Sequence, residues 1–333
     1  MRGPEIYPEL HKLSVMTQAN FVLRQIDRAD FEVYCELWNQ IWRDHHLAVG
    51  ELTRELDTLP RDRHPTTWLI SQGTADVGFV KLEHDFGAYH PKKWILGIGV
   101  LPDLRGKGIG GEAYRHAMKW LGAFKPELLK VKVSDIDDAS LGFAARRGFL
   151  EAKRDFESVL HLAKVRLGDF EQRMDDVEIV PAGSRDSLDF RHEWHELFEE
   201  VRKDTPRTEP PVRMEFPQFN GLILDDPDCM WEGSQVALAE DRLVGFSVLF
   251  RTGVEGQLFQ WLTAVKREHR GKGIAKGLKL AGINWAIMNG YKTIRADNDV
   301  RNAPMLAIND KLGFQRLPGV ITLVRQFDVE VGQ

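Results

Sequence analysis

Two short segments combine arginine, lysine and glycine in a pattern that suits the binding of phosphate groups. They are Arg105-Gly106-Lys107-Gly108-Ile109-Gly110 and Arg270-Gly271-Lys272-Gly273-Ile274-Ala275. Each follows an apolar run typical of a strand and precedes a helical pattern. Glycines permit a tight turn with exposed backbone, and the free N–H groups of a helix's first turn attract anions. The basic side chains would add charged hydrogen bonds, so we expect a diphosphate ligand.

The nucleotide-binding P-loop is excluded as an interpretation of the first segment. That motif needs a glycine five positions before Gly106, where Leu101 stands. It also needs a serine or threonine after Lys107, where Gly108 stands. An ordinary glycine-rich turn without a ligand is the remaining alternative, and the second copy of the segment disfavours it.

Both segments belong to a longer internal repeat. Arg105 and Arg270 are 165 positions apart, and so are Gly148 and Gly313, so the stretch between these landmarks keeps its register. A chain of 333 residues suits two domains of roughly 150 to 170 residues each. The polar stretch at 165–176 indicates the connection between them. We therefore expect one domain at 1–168, with residues 1–20 as an arm, and a second at 169–333.

The order of apolar patterns is similar in both repeats. It predicts a strand, helices, two or three strands, the glycine turn, a helix, a strand, a further helix and a final strand. After the second turn, apolar residues follow the spacing of one buried helical face, namely Ile274, Leu278, Ala281, Trp285 and Met288. The predicted fold class is therefore α/β with a mixed sheet in each repeat.

Composition narrows the kinds of partner. The chain is 43% hydrophobic and 29% charged with a net charge of −5, which indicates a soluble globular protein and disfavours nucleic acid. No run of about 18 apolar residues is present, so we expect no membrane partner. The only cysteines, Cys35 and Cys229, lie in different halves, which suits a reducing cytoplasm. His192 and His195 lack a metal-binding spacing, so we expect a polar helix face there and no metal.

Three stretches of the chain resemble motifs of a known family. VLPDLRGKGIG and VKREHRGKGIA both resemble the acetyl-CoA pyrophosphate motif of the GNAT N-acetyltransferase superfamily. The stretch GYKTIRADNDVRNAPMLAINDKLGF in the second repeat resembles the later strand and helix of that family. The resemblance covers nearly all of both halves. It implies two tandem GNAT folds, in the arrangement of mycothiol synthase, and acetyl-CoA as the co-substrate.

The resemblance also implies roles for individual residues. The consensus positions are filled by Arg105, Gly108 and Gly110 in the first repeat and by Arg270, Gly273 and Ala275 in the second. Backbone groups near Val100 and Val265 would bind the pantetheine arm and the thioester where two strands splay apart. Asn302 matches an asparagine that contacts the coenzyme, and its alternative role is a helix N-cap, which is compatible with that contact.

The usual acid and base of the family are not found at their positions. The strands before the turns read Trp94-Ile95-Leu96-Gly97-Ile98-Gly99 and Phe259-Gln260-Trp261-Leu262-Thr263-Ala264, without a carboxylate. Ala144 and Asn309 stand where a tyrosine acid is common. We therefore assign no catalytic residue. Glu255, His269 and Asp297 are candidate proton acceptors, although a solvated surface position is the more common role for such residues.

The two repeats differ in ways that favour the second as the catalytic one. Asn302 is replaced by Asp137 in the first repeat. The proline-rich loop at 203–219 falls where the acceptor would bind, and its charged side chains could select a charged acceptor, unless it is an ordinary surface loop. Those side chains are Arg207, Glu209, Arg213 and Glu215.

We therefore expect acetyl transfer to the amine of a small molecule or aminoacyl compound. The alternatives are a non-catalytic acyl-CoA sensor and a scaffold that acts on an RNA-linked substrate. The oligomeric state stays open.

Overall fold

The computed structural model describes residues 15–16, 21–42, 46–59, 63, 65–85, 88–166, 176–205 and 208–327. Most of the expected arm at 1–20 and the expected boundary after residue 168 lie outside these residues. The described residues form two compact units. The first unit falls within Met1–Lys132, Gly148–Leu150 and Val324–Gln333, and the second within Val133–Arg147 and Glu151–Leu323. The units thus interleave along the chain, and each contains one glycine turn.

The first unit is a sheet with helices. Its strands, in their spatial order, are β1 (Val15–Met16), β2 (Phe21–Gln25), β3 (Thr66–Gln72), β4 (Ala75–Glu83), β5 (Lys93–Val100) and β6 (Leu128–Ser134). Neighbours from β1 to β5 are antiparallel, whereas β5 and β6 are parallel. The helices are α1 (Phe31–Ile41), α2 (Val49–Thr58) and α3 (Ile109–Leu121). Because α3 connects two parallel strands, the β5–α3–β6 segment is a crossover unit.

The second unit has the same plan. Its strands, in their spatial order, are β13 (Gln315–Gln326), β7 (Leu150–His161), β12 (Thr293–Asp299), β11 (Gln257–Val265), β10 (Arg242–Arg251), β9 (Gln235–Ala239) and β8 (Glu178–Pro181). The helices are α4 (Asp138–Ala145), α5 (Leu188–Val201), α6 (Phe216–Phe219), α7 (Ile274–Met288) and α8 (Ala303–Leu312). Strands β11 and β12 are parallel and are joined by α7. The predicted mixed α/β class is confirmed.

Strand β7 shows that the sequence repeat and the compact unit are different divisions of the chain. It belongs to the first repeat, yet it pairs with β12 from Thr293↔His161 to Asp299↔Asp155 in antiparallel register. The last strand of one repeat therefore completes the sheet of the second unit. The second repeat, taken as a piece of sequence, therefore lacks one strand of its own sheet.

Apolar clusters hold the helices on each sheet. In the first unit Tyr34 of α1 packs edge-on against Phe79 of β4, with ring centroids 5.0 Å apart. In the second unit α5 buries Trp194 against Phe246 of β10, at 5.6 Å. A separate cluster places α7 and the end of α8 over β12. Since fully buried aromatic side chains contribute several kcal/mol each, these contacts hold the helices firmly on their sheets.

Candidate functional site

The first glycine turn has the geometry of an anion-binding helix start. β5 ends at Val100, and a 3-10 turn leads to Arg105. Gly106 and Gly108 have φ of 77° and 89°, a region that only glycine enters at little cost. A Cβ atom at either position would meet nothing within 4 Å, so the space over the turn is open. The Arg105 Nε donates to the Val100 carbonyl over 3.1 Å and closes the turn.

The second turn repeats this geometry. Gly271 and Gly273 have φ of 78° and 82°. The Arg270 Nε donates to the Val265 carbonyl over 2.9 Å. Gly273 is the N-cap of α7, as Gly108 is of α3. The first-turn N–H groups of each helix therefore lack helical acceptors and are available to an anion.

The predicted site residues divide into anchors and exposed groups. The side chains of Ile109 and Ile274 are buried and fix the first turn of each helix on its sheet. Exposed in the first turn are Arg105, Gly106, Lys107 and Gly108, and in the second Arg270, Gly271 and Lys272. Gly110, Gly273 and Ala275 are half-buried, and the strand-end residues Val100 and Val265 are buried. Each turn thus brings its predicted residues together at the end of a strand.

Beside each turn the parallel strands separate. The β11–β12 ladder runs from Gln257↔Thr293 to Gln260↔Ala296, and β11 then continues to Val265. The β5–β6 ladder ends at Ile95↔Lys130, and β5 continues to Val100. An open stretch of five residues measures roughly 16 Å at 3.3 Å per residue. Its backbone groups can pair with an extended ligand arm that enters between the strands.

A β-bulge in the strand before the glycine turn distinguishes the second unit from the first. Val248 pairs with Leu262, but the next residue of β10 pairs with Gln260, so Trp261 is an extra residue in β11. In the first unit, β4 and β5 keep one register from Gly78↔Val100 to Glu83↔Ile95. A bulge takes a residue out of the ladder and redirects its backbone. The bulged residue Trp261 thus lies directly beyond Gln260, the last β11 residue paired with β12, at the apex of the gap.

The side chain of Gln260 stabilises this bulge. Its Nε2 donates to the Val248 carbonyl over 3.0 Å and to Ser247 Oγ over 2.9 Å. The Ser247 hydroxyl also lies 3.0 Å from the Thr263 hydroxyl. All of these groups are buried, so the polar network compensates for the ladder bonds that the bulge removes.

Asn302 and Asp137 both cap helices. The Asn302 Oδ1 accepts from the Met305 N–H at 3.4 Å at the start of α8. The Asp137 carboxylate accepts from the Ser140 N–H at 3.0 Å at the start of α4. The N-cap role proposed for Asn302 is therefore present, and a coenzyme contact by the same residue stays a prediction.

Asn309, at the position of the missing tyrosine, belongs to a buried polar chain. Its Nδ2 donates to Asn298 Oδ1 over 2.5 Å. The Asn298 Nδ2 in turn donates to Ser158 Oγ over 2.8 Å and to the Ala296 carbonyl over 3.2 Å. Within the described residues, the Asn309 Oδ1 is buried and has no hydrogen-bond partner.

The second turn carries an ion pair on its arginine. Asp204, just after α5, lies 2.7 Å from the Arg270 Nη2 and 2.6 Å from the Arg267 Nη2. Hydrogen bonds from Arg267 and Arg270 hold the pKa of Asp204 below its usual range. A diphosphate at this turn would therefore compete with a carboxylate for Arg270.

The loop expected to face the acceptor is tied to α5 by buried groups. Glu199 and Arg202 form an ion pair of 2.8 Å, with side chains only 7% and 2% exposed. Glu199 also accepts from the Met214 N–H, and Arg202 donates to the Val212 carbonyl. His195 is buried too, with its Nε2 2.7 Å from the Met214 carbonyl, so the polar-face interpretation is wrong for this residue.

The charged residues predicted to select an acceptor lie in different surroundings and do not form one group. Arg207 lies outside the described residues. Arg213 pairs with Glu196 of α5 at 2.5 Å, which largely neutralises both. Glu215 is the N-cap position of α6, and the Oε1 of Glu209 is buried.

The three candidate proton acceptors lie apart. Glu255 is exposed in the turn before β11, at the end of the strand away from the glycine turn. Asp297 is exposed on β12 and pairs in register with Glu157 of β7. His269 ends the 3-10 turn immediately before Arg270, with its Nε2 3.8 Å from Glu268.

The first unit contains a cleft that sequence reasoning missed. It is lined by Glu55, Glu83, His84 and Asp85 among others. Asp85 receives a 3.2 Å hydrogen bond from Lys130, the last residue of β6 paired with β5. Burial raises the pKa of Glu55. A half-buried carboxylate with a raised pKa in a cleft is a candidate base, but its sequence surroundings carry no motif.

Other sequence expectations concern cysteines, metals and membranes. Cys35 and Cys229 are free and buried, and burial raises the thiol pKa to about 11 and about 12. Among the described residues, no group of three or more His, Cys, Asp or Glu side chains is placed to hold a metal ion. In the same part of the chain, every helix is too short or too polar to span a membrane.

Comparison with known proteins agrees with this geometry. The profile of the Acetyltransferase (GNAT) family matches residues 24–149 and 191–314. Among solved structures, a tandem GNAT protein from the clavulanic acid biosynthesis pathway superposes with a TM-score of 0.73 at 19% identity. The superposition covers 92% of this chain and 98% of that one. No curated protein matches the sequence.

Two further solved structures share the architecture. A GCN5-related N-acetyltransferase from Sphaerobacter thermophilus has a TM-score of 0.68 at 15% identity, covering 94% of this chain and 99% of its own. The glucosamine N-acetyltransferase region of a fungal multidomain GH3 β-N-acetylglucosaminidase has a TM-score of 0.69 at 14% identity. There the match covers 93% of this chain and 38% of the fungal one. At these identities the likeness establishes the fold.

A mixed sheet with two glycine turns, each between a strand and a helix, defines a tandem acyltransferase architecture. The chain belongs to the GNAT acetyltransferase family, with one domain match in each half. The predicted tandem GNAT folds are confirmed, and membership supports acetyl transfer from an acyl-CoA in general.

Proposed function

We propose that this protein is an acetyl-CoA-dependent N-acetyltransferase that acts on the amine of a small molecule or aminoacyl compound, with the transfer in the second unit. The observation that supports this assignment best is the bulge at Trp261, beside the open edge of β11. We infer that the bulge turns the Trp261 N–H out of the ladder, next to the gap that would receive the thioester. The register of β5 stays regular at the corresponding place.

The coenzyme would bind through the turn and the open strand. Its pyrophosphate would lie over the helix start and receive backbone hydrogen bonds and charge. Its pantetheine arm would extend along the free edge of β11 towards the bulge. In the second unit the proposed binding residues are Val265, Arg270, Gly271, Lys272, Gly273, Ile274, Ala275 and Asn302. In the first they are Val100, Arg105, Gly106, Lys107, Gly108, Ile109 and Gly110.

The reaction would then need little from ionisable side chains. A neutral amine attacks the thioester carbon, and the negative charge that develops on the carbonyl oxygen is stabilised by a backbone N–H such as that of Trp261. The C–S bond breaks and the proton lost by nitrogen reaches sulphur. Holding the two reactants together supplies much of the rate enhancement.

The alternative function is an acyl-CoA-binding sensor or scaffold without turnover. The absence of a carboxylate and a tyrosine at the family positions favours it. The cleft near Glu55 favours a variant in which the first unit performs the chemistry and the second binds coenzyme. We further propose a cytoplasmic location, no nucleic-acid partner, and a junction between the duplicated halves after residue 168.

Calorimetric titration with acetyl-CoA tests the coenzyme sites. Gly108→Glu and Gly273→Glu place bulk and negative charge where the pyrophosphate would lie. Both glycines have a left-handed φ, so the two variants carry matched backbone strain and control for each other. We expect Gly273→Glu to weaken binding at one site by more than 100-fold.

The stoichiometry decides the role of the first turn. Two sites in the wild type and one in each variant would mean that both turns bind coenzyme. Absence of binding to folded wild-type protein would contradict both the transferase and the sensor.

A further inference from the structure

The buried chain of Asn298, Asn309 and Ser158 has a direction that its hydrogen bonds determine. The Ala296 carbonyl can only accept, so the Asn298 atom 3.2 Å from it must be the donor Nδ2. The other amide atom of Asn298 is then the acceptor Oδ1. Asn309 must donate to it through Nδ2, and the remaining Asn309 atom is a carbonyl oxygen.

Among the described contacts of Asn298, Asn309 and Ser158, that oxygen is the one acceptor without a hydrogen-bond donor. Asn309 is only 3% exposed, and its Oδ1 has no partner within the described residues. A buried acceptor without a donor is costly, and native structures retain one mainly where water or a ligand supplies the hydrogen. The missing group must therefore be a hydrogen-bond donor.

The position of this oxygen relates it to the gap between strands. Ala296 is the last residue of β12 that pairs with β11, and Asn298 lies two residues beyond it. Asn309 reaches Asn298 from α8, so its oxygen lies next to the apex of the gap. Trp261, the bulged residue, follows Gln260, which is the last β11 partner of β12. The reacting end of a coenzyme arm laid along β11 would arrive at this apex.

The first repeat offers no equivalent acceptor. Ala144 corresponds to Asn309 and Val133 corresponds to Asn298 in the register of the repeat. Ala144 is buried, so a methyl group takes the place of the amide. The acceptor is thus a property of the second repeat.

We propose that the Asn309 carbonyl oxygen accepts a hydrogen bond from the sulphur of coenzyme A after the acetyl group has left. The inference rests on the proposed function, because it requires the coenzyme arm in the second gap. In the transfer step the amine nitrogen forms a bond to the acetyl carbon and the C–S bond breaks. Sulphur keeps the electron pair and takes the proton that nitrogen loses, so the products are an amide and a thiol.

The chemistry of the two coenzyme forms gives a direct readout. Coenzyme A has an S–H donor, whereas acetyl-CoA has none at sulphur. The Asn309 oxygen should therefore favour the product thiol and leave acetyl-CoA binding unaffected. Stabilising the thiol also favours departure of sulphur in its protonated form.

The experiment measures the affinities of both coenzymes by calorimetry in full-length Gly108→Glu protein, where only the second site binds. Asn309→Leu removes the oxygen at similar volume, and Asn309→Ala removes it without overpacking. We expect the ratio of the coenzyme A Kd to the acetyl-CoA Kd to rise by about 3- to 10-fold in both variants. Ser158→Ala, at the far end of the same chain, should leave the ratio unchanged.

The possible outcomes separate this inference from the proposed function. If both coenzymes bind and the ratio in the Asn309 variants changes by less than twofold, Asn309 is structural and the inference is wrong while the coenzyme site stands. If the Asn309 variants lose affinity for both coenzymes equally and also have a lower melting temperature, Asn309 is likewise structural and the inference is wrong. If neither coenzyme binds to the Gly108→Glu protein, the second-unit assignment fails and the inference fails with it.

Discussion

The two glycine turns are nearly superimposable in their internal contacts, whereas the strands and helices around them are not. Arg105 and Arg270 each donate from Nε to the last residue of the preceding strand. Among the described residues, only the second repeat has a bulge in the strand before its glycine turn, at Trp261, and only there does a buried amide stand at the Asn309 position. The two glycine turns thus stayed alike after duplication, while the strands and helices around them diverged.

The first long helices of the two units, α1 and α5, also differ in what they bury. α1 of the first unit buries Phe31, Tyr34, Cys35 and Leu37. α5 of the second buries His195 and Glu199 among its apolar residues. Buried polar groups must be satisfied, and here they are satisfied by the loop at Val212–Met214. The second unit therefore holds the loop at Val212–Met214 on α5 through buried polar contacts.

The largest expected effect tests this fixed loop. Glu199→Ala leaves the guanidinium of Arg202 buried without its carboxylate and removes the acceptor of the Met214 N–H. We expect a loss of about 3–5 kcal/mol in the free energy of unfolding, measured by denaturant titration.

Glu196→Ala is the matched control on the same helix. Its partner Arg213 is more than half exposed, so the loss should stay below about 1 kcal/mol. Equal losses in the two variants would mean that the loop is not held by the buried pair.

Local features of this chain were predictable and non-local ones were not. The turns at Gly108 and Gly273 follow from residues next to each other, and the cap at Asn302 likewise needs only the following three residues. The bulge depends on the register between β10 and β11, which no local pattern specifies.

Distance along the chain explains the other features that could not be predicted from the sequence. Asn298 bonds to Ser158, which lies in the first repeat and reaches the second sheet only because β7 pairs with β12. His195 fits a polar helix face by spacing alone, and its burial follows from a carbonyl 19 positions away. In each case a contact between distant segments buried a polar residue of a type that is usually exposed to solvent.

A second prediction compares corresponding positions of α3 and α7. Tyr114 of α3 accepts from the Arg325 guanidinium at 2.5 Å. Lys279 of α7 lies at the same place in the repeat, is 2% exposed, and has its Nζ 5.1 Å from the centre of the Phe314 ring. Burial lowers the pKa of Lys279 to about 7. The first unit therefore has a satisfied hydroxyl where the second has a buried amine.

The sign of the pH dependence follows from proton binding. Between about pH 7 and about pH 10 the unfolded chain binds a proton at Lys279 that the folded chain does not, so stability rises with pH in that range. Lys279→Met removes this dependence. We expect the variant to exceed the wild type by about 1–4 kcal/mol at pH 7, with a smaller difference at pH 9.5.

Thermal unfolding at both pH values measures the effect. Tyr114→Phe, the control, should lower stability by about 1 kcal/mol at pH 7 and keep the wild-type slope between pH 7 and 9. A Lys279→Met protein with the same pH slope as the wild type would mean that Lys279 stays charged in the folded state.

The smallest expected effect concerns the ion pair on the second turn. Asp204→Asn removes a negative charge next to Arg270 and Arg267. We expect acetyl-CoA to bind the second site about 2- to 5-fold more tightly at low salt, with the gain reduced at 0.5 M salt because exposed charges are screened. Calorimetry in the Gly108→Glu background isolates this site.

Glu268→Gln provides the comparison for Asp204→Asn. Glu268 is an exposed acid in the 3-10 turn at Arg267–His269, and it pairs with Lys266 instead of Arg270. The effect of Glu268→Gln on the affinity for acetyl-CoA should be smaller than that of Asp204→Asn. Weaker binding in Asp204→Asn would show that the carboxylate orients Arg270 for the ligand and does not compete with it.

The most direct test of the account asks which unit transfers the acetyl group. Thiol release from acetyl-CoA is measured against a panel of small amines and aminoacyl compounds for the wild type, Gly108→Glu and Gly273→Glu. The account predicts an amine-dependent release that persists in Gly108→Glu and falls more than 100-fold in Gly273→Glu. Release that persists in Gly273→Glu and is lost in Gly108→Glu would contradict it and would direct attention to Glu55 in the first unit.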